Sequence, residues 1–266
     1  MGRALHYTGR MKAAFSLVEL SIVLVILGLL TGGILGGQAL IRAAELRAVT
    51  TEYTRWTTAM QTFRDKYFAM PGDLTNATSF WTVAGGTGND VACRTAALTS
   101  TTGTCNGNGN GVLDGAVVYE PSLVWTHLAR AGLIEGQYLY LSGTSPVLGT
   151  HVPRSKVSSA AGWHACNTTA FTYTGSAANL LVLGAPGHAA STCAMGNSPG
   201  LRADEAWGID TKMDDGRATT GRMTASNSYD VSLGCLPNGF TGELPGTDYV
   251  LNSTARACRL MINLDR

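Results

Sequence analysis

The sequence predicts an α+β fold in which one long N-terminal helix packs on an antiparallel β-sheet of a globular domain with long, disulfide-tied loops. Three observations lead to this prediction. An apolar stretch near the N-terminus continues into an amphipathic stretch that extends to about residue 67. Segments with strand-like patterns follow only after that helix. The 33 glycines in 266 residues, with many Ser, Thr and Asn residues, indicate long loops.

The apolar stretch, residues 15–41, is long enough to cross a membrane. From Phe15 to Leu30 the only ionisable side chain is Glu19, and a bilayer core needs about 20 apolar residues in a helix. Basic residues before the stretch keep the N-terminus in the cytoplasm and the rest of the chain outside. A cleaved signal peptide or a plain signal anchor has the same hydrophobicity. Neither accounts for Glu19, because an intramembrane carboxylate costs roughly 2.5–3.5 kcal/mol and therefore indicates a function.

The second part of the helix is predicted to pack on the globular domain. Its apolar residues recur every three or four positions, which forms a stripe on one face of a helix. Pro71 and Gly72 then predict that the helix ends at about Tyr67. The stripe consists of Val49, Tyr53, Trp56, Met60, Phe63 and Tyr67.

Short helices and strands are predicted in the rest of the chain from the same periodicities. The first short helix has Gly132 as its C-terminal cap. In the second short helix we expect Ala206, Trp207, Ile209 and Met213 to face inward. The predicted helices span residues 121–134 and 202–213, the predicted strands span 137–141, 179–183 and 258–264, and residues 142–165 are predicted to be irregular.

Six cysteines, all beyond the apolar stretch, predict three disulfides. An even number of cysteines on the non-cytoplasmic side is typical of oxidised pairs, and six cysteines allow 15 connectivities. Pairs of sequence neighbours are favoured because each bond then closes a short local loop. The absence of a C-x-x-C pair argues against zinc and thioredoxin-type sites. The predicted pairs are Cys93–Cys105, Cys166–Cys193 and Cys235–Cys258.

The composition and motifs give no indication of an enzyme or a nucleic-acid-binding protein. The formal net charge is +1, and the chain has no long run of like charges. No G-x-S-x-G, Walker, H-E-x-x-H or G-x-G-x-x-G run stands out, and the five histidines are scattered. We therefore expect a protein that is not an enzyme and has no cofactor other than calcium.

A loop with alternating asparagines has the pattern of a calcium site. Asn106, Asn108, Asn110 and Asp114 supply oxygen atoms at positions one, three, five and nine of a calcium loop, with glycine at position six. The asparagines are neutral, and position twelve is Val117 where calcium loops have glutamate. The alternative is a turn-rich connection without a metal.

A second acidic group lies at the end of the second short helix. Asp210, Asp214 and Asp215 are close in sequence and precede Gly216. Three carboxylates beside a glycine turn can supply the oxygen ligands of a cation. The alternative is a solvated helix end, since Lys212 lies among them.

The start of the apolar stretch resembles the processing site of type IV pilins and of the pseudopilins of type II secretion systems. The segment from Lys12 to Leu20 reads KAAFSLVEL, in which a small residue precedes Phe-Ser-Leu, one further residue and Glu. The resemblance implies that a prepilin peptidase cleaves between Ala14 and Phe15 and methylates the new N-terminus at Phe15. The family usually has glycine before the cut, where this chain has Ala14. A start at Met11 would shorten the leader to four residues.

The resemblance also implies a role for Glu19 and a division of the chain. In a filament, Glu19 would pair with the N-terminal amine of an adjacent subunit and set the axial register, because a charge pair in a low dielectric penalises wrong registers. Residues 1–14 form the leader, residues 15–68 the helix, with 15–37 in the membrane or the filament core, and residues 69–266 the exterior domain.

The implied function is that of a structural subunit of a type IV pilus or of a type II secretion pseudopilus. Its implied partners are other pilins in a homo- or hetero-oligomeric filament, the prepilin peptidase and an inner-membrane assembly platform. Before assembly it is a single-pass protein of the bacterial inner membrane, and afterwards it is part of an extracellular or periplasmic filament. The alternatives are a minor or tip subunit and a membrane-anchored adhesin whose exterior loops bind a surface or partner.

Five glycines in the second half of the apolar stretch are unusual, because each costs about 1 kcal/mol against alanine in a helix interior. Two interpretations remain open: close packing between helices through small residues, or local unwinding during assembly, as in the resembled family. These glycines are Gly28, Gly32, Gly33, Gly36 and Gly37.

Overall fold

Helix α1 (Leu17–Tyr67) is the first element of the computed structural model and contains 51 residues. The chain divides into two compact units, Met1–Ala44 and Glu45–Arg266, so α1 contributes to both. The structure describes residues 16–113, 120–140, 146–168, 178–184, 200–227, 234–237 and 248–265.

The described part of the first unit is helix from Leu17 onward, and its apolar side chains face solvent. Every large apolar side chain from Leu17 to Ile41 is between 50% and 84% exposed. The apolar segment has a mean hydropathy of 2.4, and none of it is buried. Among the described residues, α1 is the one helix long and apolar enough to cross a membrane.

In the second unit, α1 buries the predicted stripe. Val49, Trp56, Met60 and Phe63 are at most 4% exposed, and Tyr53 packs against the same core. The prediction from the 3.6-residue period is therefore confirmed. Burial of each large apolar side chain stabilises the fold by roughly 1.5–3 kcal/mol, so the stripe attaches this half of α1 firmly to its domain.

Helix α1 ends at Tyr67, as predicted. Phe68 follows with a φ of +54° and donates its N–H to the carbonyl of Arg64 at 2.8 Å. Gly72 has a φ of +97°, and a Cβ atom there would lie 2.6 Å from the carbonyl oxygen of Glu120. Only glycine therefore fits at this turn.

Four short helices follow in the part of the chain that the structure describes. The helix predicted at 121–134 is confirmed as α4 with an earlier end, and Gly132 caps it with a φ of +72°. The helix predicted at 202–213 is confirmed as α5, with Ala206 and Ile209 buried and Met213 half-buried. The inward orientation predicted for Trp207 is wrong: it is 43% exposed, because it lies about 100° around the helix from Ala206. The helices are α2 (Ala77–Phe80), α3 (Val91–Ala97), α4 (Glu120–Arg130) and α5 (Ala203–Met213).

An antiparallel sheet of four strands has the order β1-β2-β4-β3. The strands predicted at 179–183 and 258–264 are confirmed as β2 and β4. The strand predicted at 137–141 does not form in its described residues, 137–140, and β1 begins inside the segment predicted to be irregular. The strands are β1 (Gly162–Thr168), β2 (Ala178–Gly184), β3 (Met223–Asn227) and β4 (Cys258–Asn263).

Two of the three predicted disulfides are confirmed. Cys93 and Cys105 are bonded with their Cα atoms 6.0 Å apart. Cys235 and Cys258 are bonded with their Cα atoms 5.0 Å apart. Cys166 is also disulfide-bonded, and its predicted partner, Cys193, lies outside the described residues.

Candidate functional site

The exposed apolar part of α1 is the first candidate for a functional surface. Its side chains, such as Val18, Leu24 and Leu40, are more than 60% exposed. Soluble proteins rarely expose a continuous apolar surface of this kind, and where one occurs it is a site for protein or membrane contact. By length and composition, this surface is compatible with a membrane span.

Glu19 lies in the first turn of α1 and forms a local hydrogen bond. The backbone N–H of Ser16 donates to Glu19 Oε2 at 2.9 Å, and the N–H of Val18 donates to Ser16 Oγ at 3.3 Å. This is the pattern of a capping box, which the spacing Ser-x-x-Glu indicates in the sequence and which we missed. The predicted cleavage site, Ala14 and Phe15, lies outside the described residues.

The five glycines of the apolar part have no packing role among the described residues. A Cβ atom built at any of Gly28, Gly32, Gly33, Gly36 or Gly37 meets nothing within 4 Å. Because glycine lowers helix stability by about 1 kcal/mol relative to alanine, five open positions have no benefit in the isolated chain. They are therefore consistent with a second environment in which space or flexibility is used.

The three aspartates at the end of α5 come together. Carboxylate oxygens of Asp210, Asp214 and Asp215 all lie within 4.8 Å of one another. Asp210 is buried, and its Oδ2 accepts the hydroxyl of Tyr249 at 2.7 Å. Burial raises the pKa of Asp210 to about 6, and the neighbouring aspartates add to this, while the bonds from Tyr249 and the N–H of Gly216 oppose it.

The other two aspartates hold the turn before β3. Asp214 Oδ2 accepts the N–H groups of Arg222 at 2.5 Å and Met223 at 2.7 Å. Asp215 accepts the N–H of Arg217 at 2.9 Å and the hydroxyl of Thr220 at 2.5 Å. These bonds give the cluster a structural role. Of the three aspartates only Asp215 is exposed, so the alternative of a solvated helix end describes that residue alone. Calcium binding at the cluster stays a prediction.

The asparagine loop uses its side-chain oxygens to hold backbone N–H groups. Asn106 Oδ1 accepts the N–H of Thr78 at 2.8 Å, and Asn108 Oδ1 accepts that of Asn110 at 2.9 Å. Asn110 Oδ1 accepts the N–H of Val112 at 2.8 Å. Asp114 lies outside the described residues, so the predicted set of four ligands cannot be compared with the structure, and calcium here also stays a prediction.

Asp73 organises this loop, a role that the sequence analysis missed. It is 3% exposed. Its Oδ1 accepts the N–H groups of Gly109 at 2.6 Å and Asn110 at 3.2 Å, and its Oδ2 accepts that of Gly111 at 2.8 Å. An acidic residue that follows α1 therefore closes the loop. In the sequence, the turn Pro71-Gly72-Asp73 was the feature that could have indicated this role.

Two buried histidines are parts of the core. Gly72 donates its N–H to His127 Nδ1 at 3.0 Å, and His127 Nε2 donates to the carbonyl of Cys105 at 3.1 Å, which defines a neutral ring. Burial, above all, lowers the pKa of His127 to about 4, and burial likewise lowers the pKa of His164 to about 4. Both rings are therefore uncharged at neutral pH.

Comparison of the chain with protein-family models, with curated proteins and with solved structures finds no match. A functional assignment therefore depends on the residues described above.

Proposed function

We propose that this chain is a structural subunit of a type IV pilus or of a pilus-like pseudopilus of type II secretion. The observation that carries the proposal is the exposed apolar part of α1, which contains a single carboxylate, Glu19, in its first turn. A helix with such an exposed apolar surface needs one apolar environment before assembly and another after it. A bilayer and a bundle of identical helices are two such environments, because both keep apolar side chains out of water.

Before assembly, the helix spans the bacterial inner membrane once, with its N-terminus in the cytoplasm. The prepilin peptidase removes residues 1–14 and methylates the amine of Phe15. On assembly, the apolar helices leave the lipid and pack against one another, and the exterior domains form the outer wall of the filament. Other pilins and the inner-membrane assembly platform are the partners, and the subunit itself catalyses no reaction.

Glu19 acts as the register residue in this proposal. Ser16 occupies Oε2 of Glu19 through its N–H group, and Oε1 is available for the methylated amine of a neighbouring subunit. Two charges in an apolar surrounding are costly when separated. A subunit that docks one turn too high or too low leaves both charges unpaired, so only one axial position is stable.

The experiment is mass spectrometry of the N-terminus of the chain expressed together with a prepilin peptidase. We expect the mature chain to begin at methylated Phe15, and an Ala14→Arg variant to keep its leader because the small residue before the cut is lost. A full-length wild-type chain would instead indicate a plain anchor. A chain cleaved behind the apolar stretch and released from the membrane would indicate a signal peptide. Either result contradicts the proposal.

A further inference from the structure

A groove of about 580 Å³ lies in the second unit, between α1 and two loop segments. We call it the Trp56 groove. Thr51, Glu52, Arg55 and Trp56 line it from α1, and Glu135, Tyr138 and residues 153–156 line it from the loops. Arg55 and Glu135 form an ion pair at 3.5 Å, so their charges offset each other. Its volume falls in the range of about 300–1,000 Å³ that is usual for ligand sites. Tyr138 and Trp56 give it an aromatic wall, which favours a ligand with some apolar surface.

The loop side of the groove presents two cations in the same direction. Arg154 and Lys156 are exposed, whereas Pro153, Ser155 and Val157 are buried. Because burial alternates along residues 153–157, the two charged side chains face solvent together. Among the residues that the structure describes, neither side chain forms an ion pair.

Glu52 fixes this arrangement from the helix side. Its Oε2 accepts the hydroxyl of Ser155 and the indole N–H of Trp163, each at 2.7 Å, and its Oε1 accepts the backbone N–H of Lys156 at 2.9 Å. Glu52 therefore bonds to the backbone at Lys156, whereas the ammonium group of Lys156 stays unpaired. The contacts hold the loop in the alternating conformation that turns Arg154 and Lys156 outward.

The aromatic wall contains a polar group without a partner. Trp56 is 4% exposed, and its Nε1 has no hydrogen-bond acceptor among the described residues. Its ring packs edge-on against Trp125 at 5.2 Å, and the guanidinium of Arg55 lies 4.8 Å above it. A buried donor of this kind is uncommon in folded proteins, and its environment makes the Trp56 indole N–H a specific reporter of changes at the groove.

We propose that the Trp56 groove binds an acidic segment of a partner protein in an extended conformation. Carboxylates at positions i and i+2 of that segment pair with Arg154 and Lys156, since both chains then have the same spacing of about 7 Å between alternate residues. Apolar atoms of the segment pack against Trp56 and Tyr138. Exposed ion pairs are individually weak and are screened by salt, so the complex is salt-sensitive.

The test uses the full-length chain in detergent micelles, with ¹⁵N in its five tryptophans. The indole N–H signal of Trp56 is assigned with a Trp56→Phe variant. The probes are acetyl-Glu-Ala-Glu-amide, the matched neutral peptide acetyl-Gln-Ala-Gln-amide, and succinate. We expect the acidic peptide to shift the Trp56 signal, with binding that weakens at least tenfold in 0.5 M salt, while the neutral peptide has no effect.

Matched variants separate the effect of the cations at the groove from the effect of the net charge of the chain. The double variant R154Q/K156Q should bind the acidic peptide at least tenfold more weakly, with the other indole signals unchanged. The double variant K212Q/R217Q loses the same charge outside the groove and should bind like the wild type. Three outcomes overturn the proposal: no shift at millimolar peptide, equal binding by R154Q/K156Q, or succinate binding as tightly as the peptide.

This inference does not depend on filament assembly. The micelle experiment uses unassembled chains, so a failure to bind the peptide leaves the filament proposal unaffected. Conversely, a chain that never assembles can still bind the peptide.

Discussion

Substitutions of Glu19 separate its proposed role in assembly from its role at the helix end. Glu19→Ala removes both the charge and the acceptor for the Ser16 N–H, whereas Glu19→Gln removes the charge and keeps an acceptor, as glutamine does in capping boxes. Loss of a helix cap costs about 0.5–2 kcal/mol. Removal of a carboxylate from an apolar span favours membrane insertion by roughly 2.5–3.5 kcal/mol. Both variants should therefore insert into the membrane at least as well as the wild type.

The assay compares the subunit in the membrane fraction with the subunit in filaments sheared from cells that carry the assembly system. We expect both variants to accumulate in the membrane and to fall at least tenfold in the filament fraction, because the register contact needs a charge. A Ser16→Ala variant is the matched control, since it removes the bond from the Val18 N–H and keeps Glu19. It should assemble normally.

One result refutes this reasoning directly. If Glu19→Gln assembles like the wild type and Glu19→Ala is only mildly weaker, Glu19 is a helix cap, and its charge has no role in register. A loss of both variants from the membrane fraction would also contradict it, because the insertion free energies predict the opposite direction.

Four further predictions concern the exterior domain, each measured by chemical denaturation of the full-length chain in micelles. Glu52→Ala leaves three donors unpaired and should lower the free energy of unfolding by about 3 kcal/mol. The control Glu135→Gln changes a side chain that is 94% exposed and should alter this free energy by under about 0.5 kcal/mol. Equal effects of the two substitutions would contradict the role of Glu52. The pKa values of His127 and His164 are each about 4 in the fold and 6.5 unfolded, so the stabilisation by the two neutral rings is complete above pH 6.5 and should fall by about 2–3 kcal/mol for each ring toward pH 4. A His127→Gln variant should lose one ring's share of this pH dependence, and a profile parallel to the wild type would refute the burial of His127 as a neutral ring. The pKa of Asp210 is raised from 3.8 to about 6, so this group destabilises the fold as pH rises through that window, and Asp210→Asn should be about 1–3 kcal/mol more stable at pH 7.5 and unchanged at pH 3.5. Calcium added to the wild type tests the cation site: a stabilisation that is lost in Asp215→Asn supports it, and no change opposes it.

Helices α1, α4 and α5 were the most predictable part of the fold, because their pattern is local, whereas the short α2 and α3 were not predicted. The stripe through Trp56 and Phe63 has a 3.6-residue period, and a proline-glycine turn follows the helix. Both features are present in the structure as predicted. Strand β2 was predictable from its continuous apolar run. Strand β1 was not, because His164 and Cys166 on one face are buried together with Trp163 on the other, which removes the polar–apolar alternation of a half-buried strand.

The polar contacts could not be predicted, because they join residues far apart in sequence. Asp73 bonds to backbone groups 36 to 38 residues away, and Asn179 Oδ1 accepts the N–H of Leu113 across 66 residues. The asparagine loop was recognised by its local pattern, but the carboxylate at its centre is not part of that pattern. Local motifs thus located the loop and the acidic cluster, and only the tertiary structure defined which atoms their oxygens bind.

The two parts of α1 differ in where their stability comes from. In the second unit, the buried stripe and the three bonds of Glu52 tie α1 to its own domain. In the first unit, the apolar side chains are exposed and the glycines have open space around them. Substitutions in the first part can therefore change membrane insertion or assembly without unfolding the exterior domain. This separation is what a subunit needs if it must exchange one apolar environment for another while its domain stays folded.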